Sequence, residues 1–176
     1  MIFPFGRMRD LWAIALLVFS FAFPFAAGAN EWRGTVVRVT DGDTLWVRPD
    51  GGGRARKLRL RGMDAPESCQ SGGPQASRAL AALALRKRVH VATHARDKWG
   101  RLIATVRLQG PRGEDVAARM VAQGWAWSHG RGGGPYARQQ AAARQARRGI
   151  FARSLHPQRP ADFRRKHGAC ARVKRP

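Results

Sequence analysis

The stretch Arg59 to Gln70, RLRGMDAPESCQ, sets two carboxylates three residues apart, Asp64 and Glu67, just after Arg59 and Arg61. Upstream, Asp41-Gly42-Asp43 places two more acids beside a glycine. The surrounding chain is strongly basic, with 33 Lys+Arg against 11 Asp+Glu. Acids in such a chain have two uses. They finish turns and cap helices through their side-chain oxygens, or they hold something positively charged. Taken singly, Asp43 is a hairpin residue, Asp64 a turn residue and Glu67 a solvated acid, while Arg59 and Arg101 belong to a charged surface. Guanidinium groups can meet the oxygens of a phosphate with paired hydrogen bonds, but singly each of these residues has an ordinary structural use.

A formal net charge of +22 attracts polyanions, nucleic acid first and anionic membrane surface second. Charge alone implies no catalysis. The N-terminus reads as a secretory signal peptide over residues 1–29: Arg7 and Arg9, an apolar run from Leu11 to Ala27, then the small-residue site Ala27-Gly28-Ala29. Removing it takes away two arginines and one aspartate, Arg7, Arg9 and Asp10, so the charge falls by only one. The expected mature chain begins near Asn30 and is periplasmic or secreted. Two cysteines, Cys69 and Cys170, in an exported protein predict one disulfide, which would tie the basic C-terminal tail beside the Glu67 loop.

The elements that must position these residues follow from periodicity. Thr35–Val39 and Thr44–Val47 are β-formers around Asp41-Gly42-Asp43, a hairpin signal. Lys57 to Arg61 alternates apolar and basic residues, a third strand with one basic face. Gly72-Gly73-Pro74 opens a helix whose Ala76, Ala79, Leu80, Leu83 and Ala84 form one apolar stripe. The basic cluster Arg86-Lys87-Arg88 suits that helix's C-terminus. VHVATH and RLIATVRL predict two further strands, joined by a loop carrying Asp97, Lys98, Trp99 and Gly100. Further helices are expected over Glu114–Gln123 and Tyr136–Arg148. Five strands and about three helices indicate an α+β fold with a mainly β core, a five-stranded OB-fold barrel, over residues 30–155. Residues 156–176 read as a basic tail without a core of its own.

VTDGDTLWV, RLRGMDAPE, DKWGRLIATV and VAQGWAW resemble, in order and spacing, the staphylococcal nuclease family, from about Arg33 to Phe151. The resemblance implies a calcium-dependent phosphodiesterase cutting DNA and RNA. It implies that Asp43 and Asp64 are the calcium carboxylates, that Ala65 adds a backbone carbonyl, and that Glu67 stands beside the metal-bound water. Arg59 and Arg101 are the matching phosphate arginines, and Asp41 lies near the site but off the metal. Lys98 and Trp99 are expected on the substrate, Trp99 as a flat aromatic where the family often has tyrosine. The segment after GWAW lacks the family's pocket tyrosines, with Tyr136 a distant stand-in. Trp125 and Trp127 are expected to pack rather than to stack bases. A barrel cleft with Trp99 at its rim favours single strands over duplex. No protein partner is implied and a monomer is expected. Two other classes stay open: a non-catalytic OB-fold module that binds nucleic acid, and a basic protein that coats polyanionic surfaces.

Overall fold

The computed structural model describes residues 30–152, 154, 156–168 and 170. The expected signal peptide lies outside them. Among the described residues no helix is long and apolar enough to cross a membrane.

Five strands close into a barrel: β1 (Asn30–Val39), β2 (Thr44–Pro49), β3 (Arg56–Leu60), β5 (Arg88–Arg96) and β6 (Leu102–Leu108), in the order β1-β2-β3-β6-β5. The β3–β6 pair is parallel and the other pairs are antiparallel. This is the expected α+β OB-type barrel. The apolar residue of each alternating pair points inward, so Val36, Leu45, Val47, Leu58, Leu60, Val89, Val91, Ala104 and Val106 fill the interior. Two residues of β4 (Met63–Asp64) pair antiparallel with β7 (Trp127–Ser128), setting Asp64 opposite Trp127.

Helix α1 (Gly73–Ala84) carries the expected stripe, burying Ala76, Leu80 and Ala84. Its C-terminal end differs from expectation. The helix stops at Ala84, and the cluster Arg86-Lys87-Arg88 is not its last turn. Arg86 N donates to Val36 O and Val36 N to Lys87 O, so backbone pairing with β1 claims these residues before a further turn can form. Helix α2 (Val116–Ala122) starts from Asp115, whose carboxylate accepts from Ala118 N. Helix α3 (Ala137–Gln145) ends short of Arg148, and Arg147 takes a left-handed φ of 49°. A fourth helix, α4 (Pro160–His167), forms within the segment expected to be a tail. Proline at its start, Asp162 in its first turn and four basic residues in its last suit it locally.

The β1–β2 hairpin forms as expected, with Thr40 N donating to Thr44 O. Gly42 matters there for space rather than for turn geometry. A Cβ on it would come within 2.7 Å of the Ala65 Cβ and 2.8 Å of the Ala76 Cβ, so only glycine lets the Asp41–Asp43 loop pack against β4 and α1.

Candidate active site

Strand register assembles the acids. In the β2–β3 ladder Thr44 lies opposite Arg59, and Leu60 N donates to the Asp43 carbonyl. Asp43 immediately precedes β2, and its amide donates to Asp41 Oδ1 at 3.1 Å, a short turn that leaves Asp41 beside the site. Asp64 ends β4, five residues beyond Arg59. The result is a fork: Arg59 Nη1 lies 2.6 Å from Asp43 Oδ2 and Nη2 lies 2.6 Å from Asp64 Oδ1. Both aspartates are buried, at 5% and 3% exposure.

Asp43 shares its one guanidinium, that of Arg59, with Asp64 and is short of positive charge. Burial pushes the Asp43 carboxyl up to about 7, against the pull of Arg59, with Asp41 and Asp64 adding to the rise. Burial opposes the Arg59 charge, but Asp43 and Asp64 outweigh it and hold its pKa above the ordinary value. The donors are hard oxygens, buried, and in need of a cation, and this fits a calcium-type ion. Among the described residues no three His, Cys, Asp or Glu side chains gather as a ligand set, so such an ion would draw its remaining ligands from backbone oxygen and water. Ala65 follows Asp64 directly and is buried.

Arg101 reaches the cluster through Thr44. Its Nη1 donates to Thr44 Oγ1 at 3.4 Å, and Thr44 Oγ1 donates to Asp43 Oδ1 at 2.8 Å. Asp97 makes this possible. Its Oδ1 accepts from the amides of Trp99 and Arg101 at 3.0 Å, and its Oδ2 accepts from Arg101 Nε at 2.7 Å. Burial works to raise the Asp97 pKa, but the bonds from Arg101 and Trp99 win and hold it below the ordinary carboxylate value. The loop so folded leaves Trp99 at 70% exposure, with Lys98 Nζ 4.6 Å and Arg101 Cζ 5.2 Å from its ring centre. An exposed indole flanked by cations is a platform for a base and its phosphate.

Asp43, Asp64, Glu67, Arg59 and Arg101 thus come together, with Lys98 and Trp99 alongside. Trp127 is buried edge-to-face against Phe151, and Trp125 packs against the barrel core. Tyr136 is half-buried, its hydroxyl donating to Asp115 Oδ2 at 3.1 Å, which makes it an anchor for the glycine-rich segment. Cys69 and Cys170 form a disulfide.

Sequence reasoning missed Arg164. From α4 its guanidinium donates to Glu67 Oε1 at 2.6 Å and to Asp64 at 3.2 and 3.4 Å. The available signal was Cys170, which placed this segment beside Glu67 without saying which arginine would arrive. Asp97 was read only as part of a loop, and Gln70, which accepts from Glu67 N and donates to Gln158 O, carried no signal at all.

Residues 57–153 match the model of the family described as staphylococcal nuclease homologue. Over 140 residues the chain is 38% identical to protein ParB of Escherichia coli, covering 74% of this chain and 75% of that one. It is 38% identical over 105 residues to the micrococcal nuclease of Shigella flexneri, covering 56% of this chain and 59% of that one. An uncharacterized endonuclease of Escherichia coli O157:H7 is 36% identical over 114 residues, covering 65% and 71%.

Proposed function

Because the chain belongs to the staphylococcal nuclease family, a family of nucleases, we propose that it is an exported, calcium-dependent phosphodiesterase acting on DNA and RNA. One observation carries the reading: two buried carboxylates, Asp43 and Asp64, share the Arg59 guanidinium, with a third carboxylate, Glu67, and two further arginines, Arg101 and Arg164, beside them.

Asp43, Asp64 and the Ala65 backbone carbonyl would hold the ion, which when bound supplies charge to polarise a phosphate oxygen and offset the carboxylates. Glu67 orients or deprotonates the water that attacks phosphorus. As the water oxygen adds to phosphorus, negative charge builds on the phosphate oxygens, where Arg59 and Arg101 meet it with directed hydrogen bonds; the bond to the leaving oxygen then breaks with its electron pair on that oxygen, which takes a proton from solvent. Lys98 holds a neighbouring phosphate, and Trp99 stacks an unpaired base, so single strands are the preferred substrate. The net charge makes binding fall steeply with salt. Export rests on the N-terminal sequence pattern, and the disulfide suits an oxidising compartment. The chain acts as a monomer.

The test is incubation of the protein lacking residues 1–29 with plasmid and with single-stranded DNA, in calcium and in excess chelator. Cleavage in calcium that stops in chelator is expected. Binding without cleavage in calcium would leave a non-catalytic nucleic-acid module, and undiminished cleavage in chelator would remove the metal assignment.

A further inference from the structure

We propose that Arg164 is a positioning residue for the Glu67 carboxylate, and that the Cys69–Cys170 disulfide is the strap that keeps it there; this rests on the nuclease reading above. Glu67 follows β4 in a loop, at 26% side-chain exposure, where a glutamate is otherwise free to rotate. Its one side-chain partner among the described residues is Arg164 Nη1, at 2.6 Å, across 97 residues of sequence. That contact takes Oε1, and among the described residues Oε2 has no partner. The same guanidinium reaches both oxygens of Asp64. One planar group therefore fixes the spacing of the acid that would hold the cation and the acid that would face the water.

The C-terminal segment is built onto this loop at three points. Gln158 O, just before α4, accepts from Gln70 Nε2 at 2.7 Å, and Gln70 Oε1 in turn accepts from Glu67 N at 3.1 Å. Arg164 opens the last turn of α4. Cys170, beyond the helix, bonds covalently to Cys69, two residues after Glu67. Pro160 is the one buried residue of α4. An eight-residue helix with so little apolar surface does not dock or even persist by itself. The covalent link raises the local concentration of Arg164 at the acids, converting a weak contact into a standing one. A carboxylate that must hold a water in one direction gains from being fixed beforehand, since misplacement by about 1 Å can cost roughly 10²-fold in rate.

The experiment compares wild type, Arg164→Ala, Arg164→Lys, Cys69→Ser/Cys170→Ser, and Arg165→Ala as control. Arg165 lies on the same helix but pairs with Asp162, away from the acids. Steady-state cleavage of a short single-stranded DNA is measured at saturating calcium, with thermal melts and calcium binding by calorimetry on each variant. Arg164→Ala should lower kcat by roughly 10- to 100-fold with KM within about twofold, and Arg164→Lys should fall less. Added guanidinium ion at non-denaturing concentration should restore part of the kcat of Arg164→Ala, which a purely structural role would not allow. The double serine variant should lose kcat in the same direction, and Arg164→Ala on top of it should cost little more, because both break one device. Arg165→Ala should match wild type.

An unchanged kcat in a folded Arg164→Ala would overturn the proposal. So would a raised kcat with tighter calcium binding, which would make Arg164 an obstacle to the ion. If Arg164→Ala melts far below wild type, Arg164→Lys and the guanidinium rescue decide, and absence of both partial activity and rescue overturns it. A wild-type protein that cuts nothing removes the nuclease reading and this inference together; a wild type that cuts, with Arg164→Ala its equal, removes this inference alone.

Discussion

Asp64 is approached by two arginines, and they arrive by different means. Arg59 comes from β3, in a barrel whose ladders place it opposite Thr44 and five residues before its aspartate. Arg164 comes from a short helix 100 residues later, beside the acids because one disulfide and one glutamine hold it there. The first arrangement cannot slip without unpairing a buried strand, since a one-residue register shift turns every side chain to the other face. The second can be undone by cutting one bond. The barrel arm should therefore carry the chemistry itself, and the strapped arm should tune it.

Removing the carboxylate at which the two arms meet should give the largest effect. Asp64→Asn keeps the shape but removes a charge that faces Arg59, Arg164 and the expected ion. The lost charge stabilisation should amount to several kcal/mol, roughly 10³–10⁴ in kcat/KM. Cleavage of a fluorogenic oligonucleotide would read this, with circular dichroism to check the fold. Activity within tenfold of wild type would shift the centre of the site away from Asp64.

Arginine geometry comes next. Arg59→Lys and Arg101→Lys keep the net charge but lose the planar fork that pairs two oxygens. Each should lower kcat by about 10²–10³ while KM changes little. Arg147→Lys, beyond the end of α3 and exposed, should change neither. If either site variant only weakens binding, that arginine belongs to the general basic field rather than to the transition state.

The same contrast explains what could be read from the sequence. The barrel was legible because period-2 alternation through Lys57–Arg61 and 102–108 marks strands directly, and the acids because Asp43, Arg59 and Asp64 sit at fixed short spacings. Local signals failed where tertiary pairing overrode them: Arg86-Lys87-Arg88 suits a helix end by charge, yet its backbone pairs with Val36. Helix α4 carried end signals, namely Pro160, Asp162 and the basic run closed by Gly168, but no apolar stripe said that it packs or where. Arg164 was invisible because nothing distinguishes it locally from Arg165. Its role is set by the covalent partner of Cys170, and the disulfide was itself foreseen from export and an even cysteine count.

Cutting the strap should cost stability less than loop length suggests. The chain-entropy model gives about 4–5 kcal/mol for a loop of roughly 100 residues. That figure assumes the tail stays docked until the whole domain unfolds. With so little of α4 buried, the reduced tail should come away first, leaving the barrel to unfold separately. The expected loss is then about 2 kcal/mol, a fall in Tm of roughly 4–8 °C. Melts with and without a phosphine reductant would measure it. A loss equal to the full loop value would mean that the tail is integral to the domain, erasing the distinction between the two arms.

The smallest effect concerns an anchor that belongs to the barrel side. Tyr136 is the chain's single tyrosine, so absorbance at 295 nm reports its ionisation alone. Burial pushes its phenol up to about 12, and Asp115 adds to the rise by repelling the phenolate and accepting the proton's hydrogen bond. The folded pKa lies above the unfolded one near 10. The stabilisation is therefore fully present below about pH 10 and lost as pH rises toward about 12. Native protein should titrate near 12 and urea-unfolded protein near 10. Asp115→Asn should bring the native midpoint down, and Tyr136→Phe should cost about 1 kcal/mol in stability. Neither should alter reduction of the disulfide, since this bond holds the glycine-rich segment to α2 and not α4 to the acids. A native midpoint near 10 would mean that the phenol is neither buried nor bonded to Asp115. Tyr136 would then be available to a nucleotide base.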